Sequence, residues 1–306
     1  MRRLLVFAVV FAAVQLCASA KKVKVVKDVE LPLPSGRHVV EPRFSPQGDC
    51  LLLNAAGSGL LMYDIATGDL EVISDAPTSG SFAKMSDDGK MVVYTEMEVG
   101  DDHLCYTSVK AKNLETGEVS TVVEPSRGVT AVAAHSGTAV AVRKGQVLKK
   151  AVRGAAVDDG PVIVATPDCH LTVTRGGESV QIDPCDSPIY LWASLSPDGT
   201  RLLFAVPQHG MIAYTSDLDG GNLVRLGRMS APAWLGNDYA VGMVDADNGE
   251  TITGSVLVAA STDGAYYTEL TDGSEICMYP AGSNDATQIA YNTLDGKLHL
   301  MTVKTK

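Results

Sequence analysis

Short apolar runs separated by Gly, Asp and Pro turns recur along the whole chain. Six of these runs follow turns of related composition, at residues 50–53, 91–94, 138–142, 201–204, 239–241 and 288–291. Runs of this length, rich in Val, Ile, Leu and Tyr and bounded by turn residues, are typical of β-strands. The pattern therefore predicts an all-β fold.

The turn before each run is a repeat marker. The clearest copies are Ser45-Pro46-Gln47-Gly48, Ser86-Asp87-Asp88-Gly89 and Ser196-Pro197-Asp198-Gly199, and weaker copies end at Gly137, Asp238 and Ala286. Pro and Asp favour such turns, and Gly accepts the positive φ that closes them. The markers lie 39 to 62 residues apart, and a second hairpin follows most of them. Four strands per unit at this spacing predict a six-bladed β-propeller with four-stranded antiparallel blades.

The repeat divides the chain into segments. Residues 21–306 are expected to form a single propeller domain, with blades at approximately 35–81, 82–127, 128–190, 191–230, 231–275 and 276–306. The long third interval is interpreted as an insertion around residues 147–166. The last repeat lacks an outer strand, which residues 23–33 are predicted to supply. That pairing would close the ring and cover two exposed edges.

The Ser-Pro-Asp-Gly marker followed by a strand resembles the PD40, or WD40-like, repeats of TolB-type propellers. The match is best over residues 190–199 together with 218–223, and it extends over most of residues 35–306. The resemblance implies a six-bladed propeller in an exported protein of Gram-negative bacteria. It implies no particular function, because propellers serve as enzymes, scaffolds and binding proteins alike.

The N-terminus has the features of a signal peptide. Arg2 and Arg3 precede the apolar residues 4–16, and Ala18-Ser19-Ala20 supplies a cleavage site that would make residues 1–20 the signal peptide. We therefore expect an exported protein, in the periplasm or at the cell surface. A buried N-terminal helix is one alternative. A lipid anchor on Cys17 is another, although Leu16 stands where a small residue is usual. No other stretch approaches the ~20 apolar residues of a transmembrane helix.

The charge and the cysteine content limit the expected partners and the expected disulfide bonds. The formal net charge is −11, and removal of Arg2 and Arg3 leaves 23 Lys and Arg against 36 Asp and Glu, or −13. An acidic protein is a poor partner for nucleic acid and for anionic membranes. Cysteines remain at positions 50, 105, 169, 185 and 277. Cys169 and Cys185 flank a Gly-Gly turn, and either a disulfide or two buried free thiols fits this spacing.

Enzyme motifs are absent from the sequence. It contains no HExxH, P-loop, GxGxxG or GxSxG pattern, and its six histidines are scattered singly. The sequence therefore favours a non-catalytic protein without a cofactor. The alternative is a carbohydrate-active propeller enzyme, such as a lyase, with an unidentified metal site. Asp245, Asp247 and Glu250 form a weak calcium-like candidate, but an acidic hairpin loop is the preferred interpretation.

The repeat register points to a binding site. Seven residues before the markers, where the innermost strands begin, the chain has Glu41, Phe82, Thr130, Trp192, Ala231 and Tyr279. These positions are expected at one mouth of the central channel, with aromatic residues in alternate blades two, four and six. Aromatic rings there suit sugars or apolar peptide side chains, and Arg43 and Lys84 would add positive charge. The expected partner is a protein segment or a glycan. The alternative is that each side chain only packs against its neighbouring blade.

Overall fold

The chain forms a ring of antiparallel sheets. The computed structural model describes residues 22–34, 37–55, 57–154 and 161–306, in which 26 strands and one 3₁₀ turn (Pro167–Cys169) build seven sheets. From the second sheet to the last, the innermost strands of successive sheets contact each other, the first two sheets share a buried cluster, and the last sheet contacts the first. This arrangement is a seven-bladed β-propeller. The predicted signal peptide, its cleavage site and Cys17 lie outside the described residues.

Five of the blades have four strands. Blade 1 contains β2 (Val39–Phe44), β3 (Cys50–Ala55), β4 (Gly59–Asp64) and β5 (Leu70–Ser74). Blade 2 contains β6 (Lys84–Met85), β7 (Met91–Val99), β8 (Cys105–Asn113) and β9 (Val119–Ser126). Blade 5 contains β16 (Leu191–Leu195), β17 (Arg201–Pro207), β18 (Met211–Asp217) and β19 (Val224–Arg228). Blade 6 contains β20 (Ser230–Leu235), β21 (Tyr239–Asp247), β22 (Ile252–Ser261) and β23 (Tyr267–Glu269). Blade 7 contains β24 (Cys277–Gly282), β25 (Gln288–Thr293), β26 (Leu298–Thr305) and β1 (Val23–Leu31).

The other two blades have three strands each within the described residues. Blade 3 contains β10 (Val129–His135), β11 (Thr138–Arg143) and β12 (Gln146–Ala151). Blade 4 contains β13 (Ile163–Ala165), β14 (Thr172–Arg175) and β15 (Glu178–Gln181). Together they occupy the segment that the sequence assigned to a single third blade.

The predicted count of six blades is therefore wrong. Residues 147–166 are not an insertion, because they include most of the third strand of blade 3 and the inner strand of blade 4. Blade 4 has its own marker turn, Thr166-Pro167-Asp168-Cys169, in which Thr replaces Ser and Cys replaces Gly. Asp168 and Cys169 adopt φ values of 50° and 67°, so non-glycine residues close this turn in the left-handed region. Because this turn lacks the glycine of the other markers, the sequence pattern did not reveal the repeat.

The serine of the marker explains why the turn recurs. In blade 5 the buried Ser196 Oγ donates to Asp198 Oδ1 at 2.6 Å and accepts the backbone N–H of Arg201 at 2.9 Å, where the next strand begins. The Oγ atoms of Ser86 and Ser283 donate equivalent hydrogen bonds to Asp88 and Asp285, both at 2.6 Å. A buried hydroxyl with donor and acceptor both used stabilises the hairpin without an unsatisfied polar group.

The hydrophobic core is divided among the contacts between blades. The described residues form seven buried clusters, and each lies between two adjacent blades. Leu51 and Leu53 pack towards blade 7, whereas Leu52, between them, packs towards blade 2. Because side chains alternate along a strand, one apolar run fills the contacts on both faces of its sheet. This explains the continuous apolar runs of the sequence.

The N-terminal strand β1 forms the outer edge of the last blade. It pairs antiparallel with β26, from Val23 opposite Thr305 to Leu31 opposite Leu298. Val23 and Leu31 are buried in the clusters that blade 7 shares with blades 6 and 1. Asp28 accepts a hydrogen bond from the buried Tyr291 hydroxyl at 2.7 Å. That this pairing keeps the ring closed stays a prediction.

Two other features bear on the sequence predictions. Among the described residues, no helix is long and apolar enough to cross a membrane. The five described cysteines are free thiols, and Cys169 and Cys185 are both half-buried. Burial raises the pKa of the Cys185 thiol to about 11. The free-thiol alternative for this pair is therefore the one the structure contains.

Candidate functional site

A channel runs through the centre of the ring. Its cavity has a volume of about 830 Å³, and the inner strands or their preceding loops contribute lining residues from all seven blades. The lining extends from Glu41 and Trp192 at one end of the inner strands to Pro197 and Asn284 in the marker turns at the other. Propellers use such channels and their mouths as sites for ligands.

The residues predicted from the repeat register all meet in this channel. Glu41, Phe82, Thr130, Trp192, Ala231 and Tyr279, which we name the mouth ring, line the cavity together. Phe82 is 59% exposed and Trp192 is 39% exposed, whereas Ala231 is buried. For Phe82 and Trp192, packing against a neighbouring blade therefore leaves much of the ring free. The placement of the aromatic residues in alternate blades is wrong, because with seven blades they belong to blades 2, 5 and 7.

A bulge repeats at the mouth ring. Glu41, Trp192, Ala231 and Tyr279 have φ values of 52°, 50°, 46° and 49°. The pairing with the second strand of each of these blades shifts register at the same point. Side-chain-bearing residues avoid this left-handed region, which costs about 1–2 kcal/mol per residue. The same costly conformation at one equivalent position in four blades shows that the fold builds the mouth from β-bulges, which redirect side chains.

A second set of equivalent positions lies two residues deeper. This inner ring contains Arg43, Lys84, Val132, Val164, Ser194, Ala233 and Ala281, one residue from each blade, and all of them line the channel. The sequence prediction missed Val164, because it did not recognise blade 4. Five of these residues are small or apolar apart from the hydroxyl of Ser194. The two cations are neighbours in blades 1 and 2, so the positive charge of the channel is on one side.

Arg43 is held by three acceptors. Its Nη2 donates to Glu41 Oε2 and to the Ser81 carbonyl, both at 2.9 Å, and its Nη1 donates to the Gly80 carbonyl at 2.9 Å. Burial lowers the pKa of the guanidinium, while the nearby Glu41 carboxylate acts in the opposite direction. Arg43 therefore fixes the loop that carries Phe82 and satisfies the charge of Glu41.

Lys84 is the second cation of the channel. Its side chain is exposed, but it lines the channel and is surrounded by protein. Burial lowers the pKa of Lys84 to about 8, and the like charge of Arg43 adds to this effect. In blade 7, burial raises the pKa of the Tyr279 phenol, and the carboxylates of Glu41 and Asp245 raise it further.

A smaller pocket opens beside the channel, between blades 2 and 3. It has a volume of about 120 Å³ and shares Phe82, Thr130 and Val132 with the channel lining. The rest of its wall includes Thr78 from the loop before β6, Thr95 and Met97 from β7, and Thr107 from β8. We name it the side pocket. Repeat register does not predict it, because it forms by packing between strands that are distant in the sequence.

The weak metal candidate is a turn in the structure. Asp247 Oδ1 accepts the backbone N–H of Gly249 at 2.8 Å, and Asn248 Oδ1 accepts those of Glu250 and Thr251 at 3.0 and 2.8 Å. These bonds are what a β21–β22 hairpin loop requires. No group of three or more His, Cys, Asp or Glu side chains suited to a metal ion occurs within the described part of the chain.

Comparison with known proteins supports the fold. No protein-family model matches the chain, and no curated protein matches it. The structure resembles TolB from Acinetobacter baumannii, with 16% identity and a TM-score of 0.56 over 80% of this chain, which spans only 57% of that protein. It also resembles an oligogalacturonate lyase in complex with manganese, with 16% identity and a TM-score of 0.51 over 88% of this chain and 78% of the lyase.

A third similar structure is a complete propeller domain. The Cps50 (Swd1) β-propeller domain of Myceliophteria thermophila has 12% identity and a TM-score of 0.61, covering 92% of this chain and all of the domain. Likeness at such low identity shows the fold and nothing finer. The chain is thus a β-propeller similar in fold to TolB and to the Cps50 propeller domain, and its candidate site is the central channel.

Proposed function

We propose that the chain is a non-catalytic binding propeller that holds a protein segment or a glycan at the mouth ring. The observation that carries this proposal is that the mouth-ring residues, selected by register, line one channel and include two exposed aromatic rings. Exposed Trp and Phe side chains in a concave site provide large contact area at low entropic cost. We further propose that it acts after export, in the periplasm or at the cell surface.

Peptide and glycan arrays test this proposal. The mature protein should bind a subset of array members, and Trp192→Ala should weaken this binding about 30-fold or more, because truncation of an aromatic anchor typically costs about 2 kcal/mol or more. Tyr267→Ala is the matched control, since Tyr267 is a comparably exposed aromatic residue on the outer strand of blade 6. Unchanged binding by Trp192→Ala would contradict the proposal.

The lyase alternative makes a different prediction. A metal-dependent lyase would copurify with a stoichiometric divalent ion and would release unsaturated products from an acidic polysaccharide. Elemental analysis of the purified protein and an ultraviolet assay for these products measure both properties directly. A positive result in both would replace the binding function with a catalytic one.

A further inference from the structure

The charge of the channel is opposite to that of the whole protein. The chain carries a net charge of −11, yet the lining contains Arg43 and Lys84 against the single carboxylate of Glu41. Glu41 forms an ion pair with Arg43 at 2.9 Å. Lys84 takes part in none of the ion pairs found among the described residues. Among those residues, the Lys84 ammonium therefore faces the channel without a counter-charge.

Keeping this ammonium in the channel is unfavourable for the free protein. Protein around Lys84 reduces its hydration, and the Arg43 guanidinium repels it. An anion bound beside Lys84 would offset both effects, because a charge-assisted hydrogen bond to a carboxylate is about twice as strong as a neutral one. Arg43 is less available to a ligand, since its donors already bind Glu41, Gly80 and Ser81.

The side pocket supplies an apolar subsite next to this cation. Its walls include Met97, Val129 and Val132, and Phe82 and Thr130 belong to both the pocket and the channel. Two of its hydroxyls are already used, since Thr78 Oγ1 accepts the Met97 N–H at 2.8 Å and Thr130 Oγ1 donates to a carbonyl of β11 at 3.4 Å. Ser81, Thr95 and Thr107 also carry hydroxyls in its walls, but most of the exposed surface of the pocket is apolar. That surface favours an aliphatic side chain.

We propose that the side pocket and Lys84 together recognise the C-terminal residue of a polypeptide, with its aliphatic side chain in the pocket and its carboxylate at the Lys84 ammonium. This inference rests on the proposed function, because it places the ligand at the mouth ring. It narrows the partner to a protein segment with a free C-terminus. Lys84 supplies the charge, and Arg43 positions the loop that forms one wall of the pocket.

Two pools of fluorescently labelled random peptides that end in leucine test the role of the carboxylate. One pool ends in a free carboxylate and the other in a carboxamide, and binding to the mature protein is measured by fluorescence anisotropy. The free-acid pool should bind about tenfold to a hundredfold more tightly. Lys84→Met should abolish this difference, and Lys84→Arg should retain most of it. Lys24→Met, which removes an exposed lysine of β1, is the matched control.

Two substitutions on one face of β7 test the pocket. Met97 lines the side pocket and is 49% exposed, whereas Val99 is 67% exposed and lines neither cavity. Met97→Asp should weaken binding of the free-acid pool at least tenfold, because it places a charge in the apolar subsite. Val99→Asp should leave the binding unchanged. Neither side chain is buried, so both variants should fold.

The outcomes separate this inference from the function on which it rests. Equal binding of the acid and amide pools, or no binding of either, overturns the C-terminal inference. If both pools bind equally and Trp192→Ala loses this binding, the proposed binding function of the mouth ring survives. If Trp192→Ala binds both pools as well as the wild type does, the C-terminal inference and the proposed function both fail. Binding of polygalacturonate in place of the peptides, with dependence on Lys84, overturns the peptide inference in favour of an acidic glycan.

Discussion

Leu31 provides the sharpest test of whether strand β1 stabilises the ring. Its side chain is 9% exposed and packs with Val39, Leu53 and Leu298 between blades 7 and 1. Truncation to alanine removes buried apolar surface and leaves a cavity, at a cost of about 2–5 kcal/mol. Since a propeller of this size loses roughly 2–4 °C of melting temperature per kcal/mol, Leu31→Ala should melt about 5–15 °C lower.

The assay is thermal unfolding of the mature protein, followed by circular dichroism and by calorimetry. Lys24→Ala is the matched control, because Lys24 lies on the same strand with an exposed side chain. A surface substitution of this kind should change the stability by less than about 0.5 kcal/mol. Deletion of residues 21–33 should have a larger effect than Leu31→Ala, because it also removes the pairing with β26 and the Asp28 acceptor of Tyr291.

The three melting temperatures together decide whether strand β1 stabilises the ring. If Leu31→Ala and the deletion melt within error of Lys24→Ala, strand β1 contributes nothing to stability, and the ring is held by the contacts between blades alone. A loss of stability confined to the deletion would instead assign the effect to the backbone pairing rather than to the buried leucine.

Three further predictions address single side chains. Tyr291→Phe should destabilise the protein by about 1.5–3 kcal/mol in chemical denaturation, because Asp28 loses a hydrogen bond to a charged group. Lys84→Met should leave the melting temperature unchanged or raise it below pH 8, since the lysine's pKa is lowered to about 8 from 10.5, and this gain should disappear as the pH rises towards 10.5. Iodoacetamide should alkylate the exposed Cys105 well before Cys185, whose thiol has a pKa of about 11, as peptide mapping by mass spectrometry would show.

The fold was predictable wherever the marker kept its chemistry. Ser196 and Asp198 form a hydrogen-bonded turn that demands these residue types, so the sequence displays it. Blade 4 was missed because Thr166 and Cys169 replace the serine and glycine of the marker, while the backbone still closes the turn at positive φ. A turn can be recognised in a sequence only when it contains the residues that such turns prefer. A turn that non-glycine residues close at positive φ cannot be recognised in this way.

The candidate site was also predictable only in part. The channel positions of Phe82 and Trp192 follow from register, since equivalent residues of a repeat occupy equivalent places in a ring. The side pocket around Met97 does not follow, because it depends on how blades 2 and 3 pack against each other. The role of Arg43 was not predictable either, since its bonds to Gly80 and Ser81 join residues that lie 37 and 38 positions apart in the sequence.

We propose above all that the mouth ring is a ligand-binding surface. Oxidative footprinting tests it most directly, by mass spectrometry of the protein with and without a ligand recovered from the arrays. Bound ligand should protect Phe82, Trp192 and Tyr279 from oxidation and should leave Tyr267, on the outer strand of blade 6, as reactive as before. Protection of Tyr267 with no change at Phe82 and Trp192 would show that the ligand binds elsewhere on the propeller.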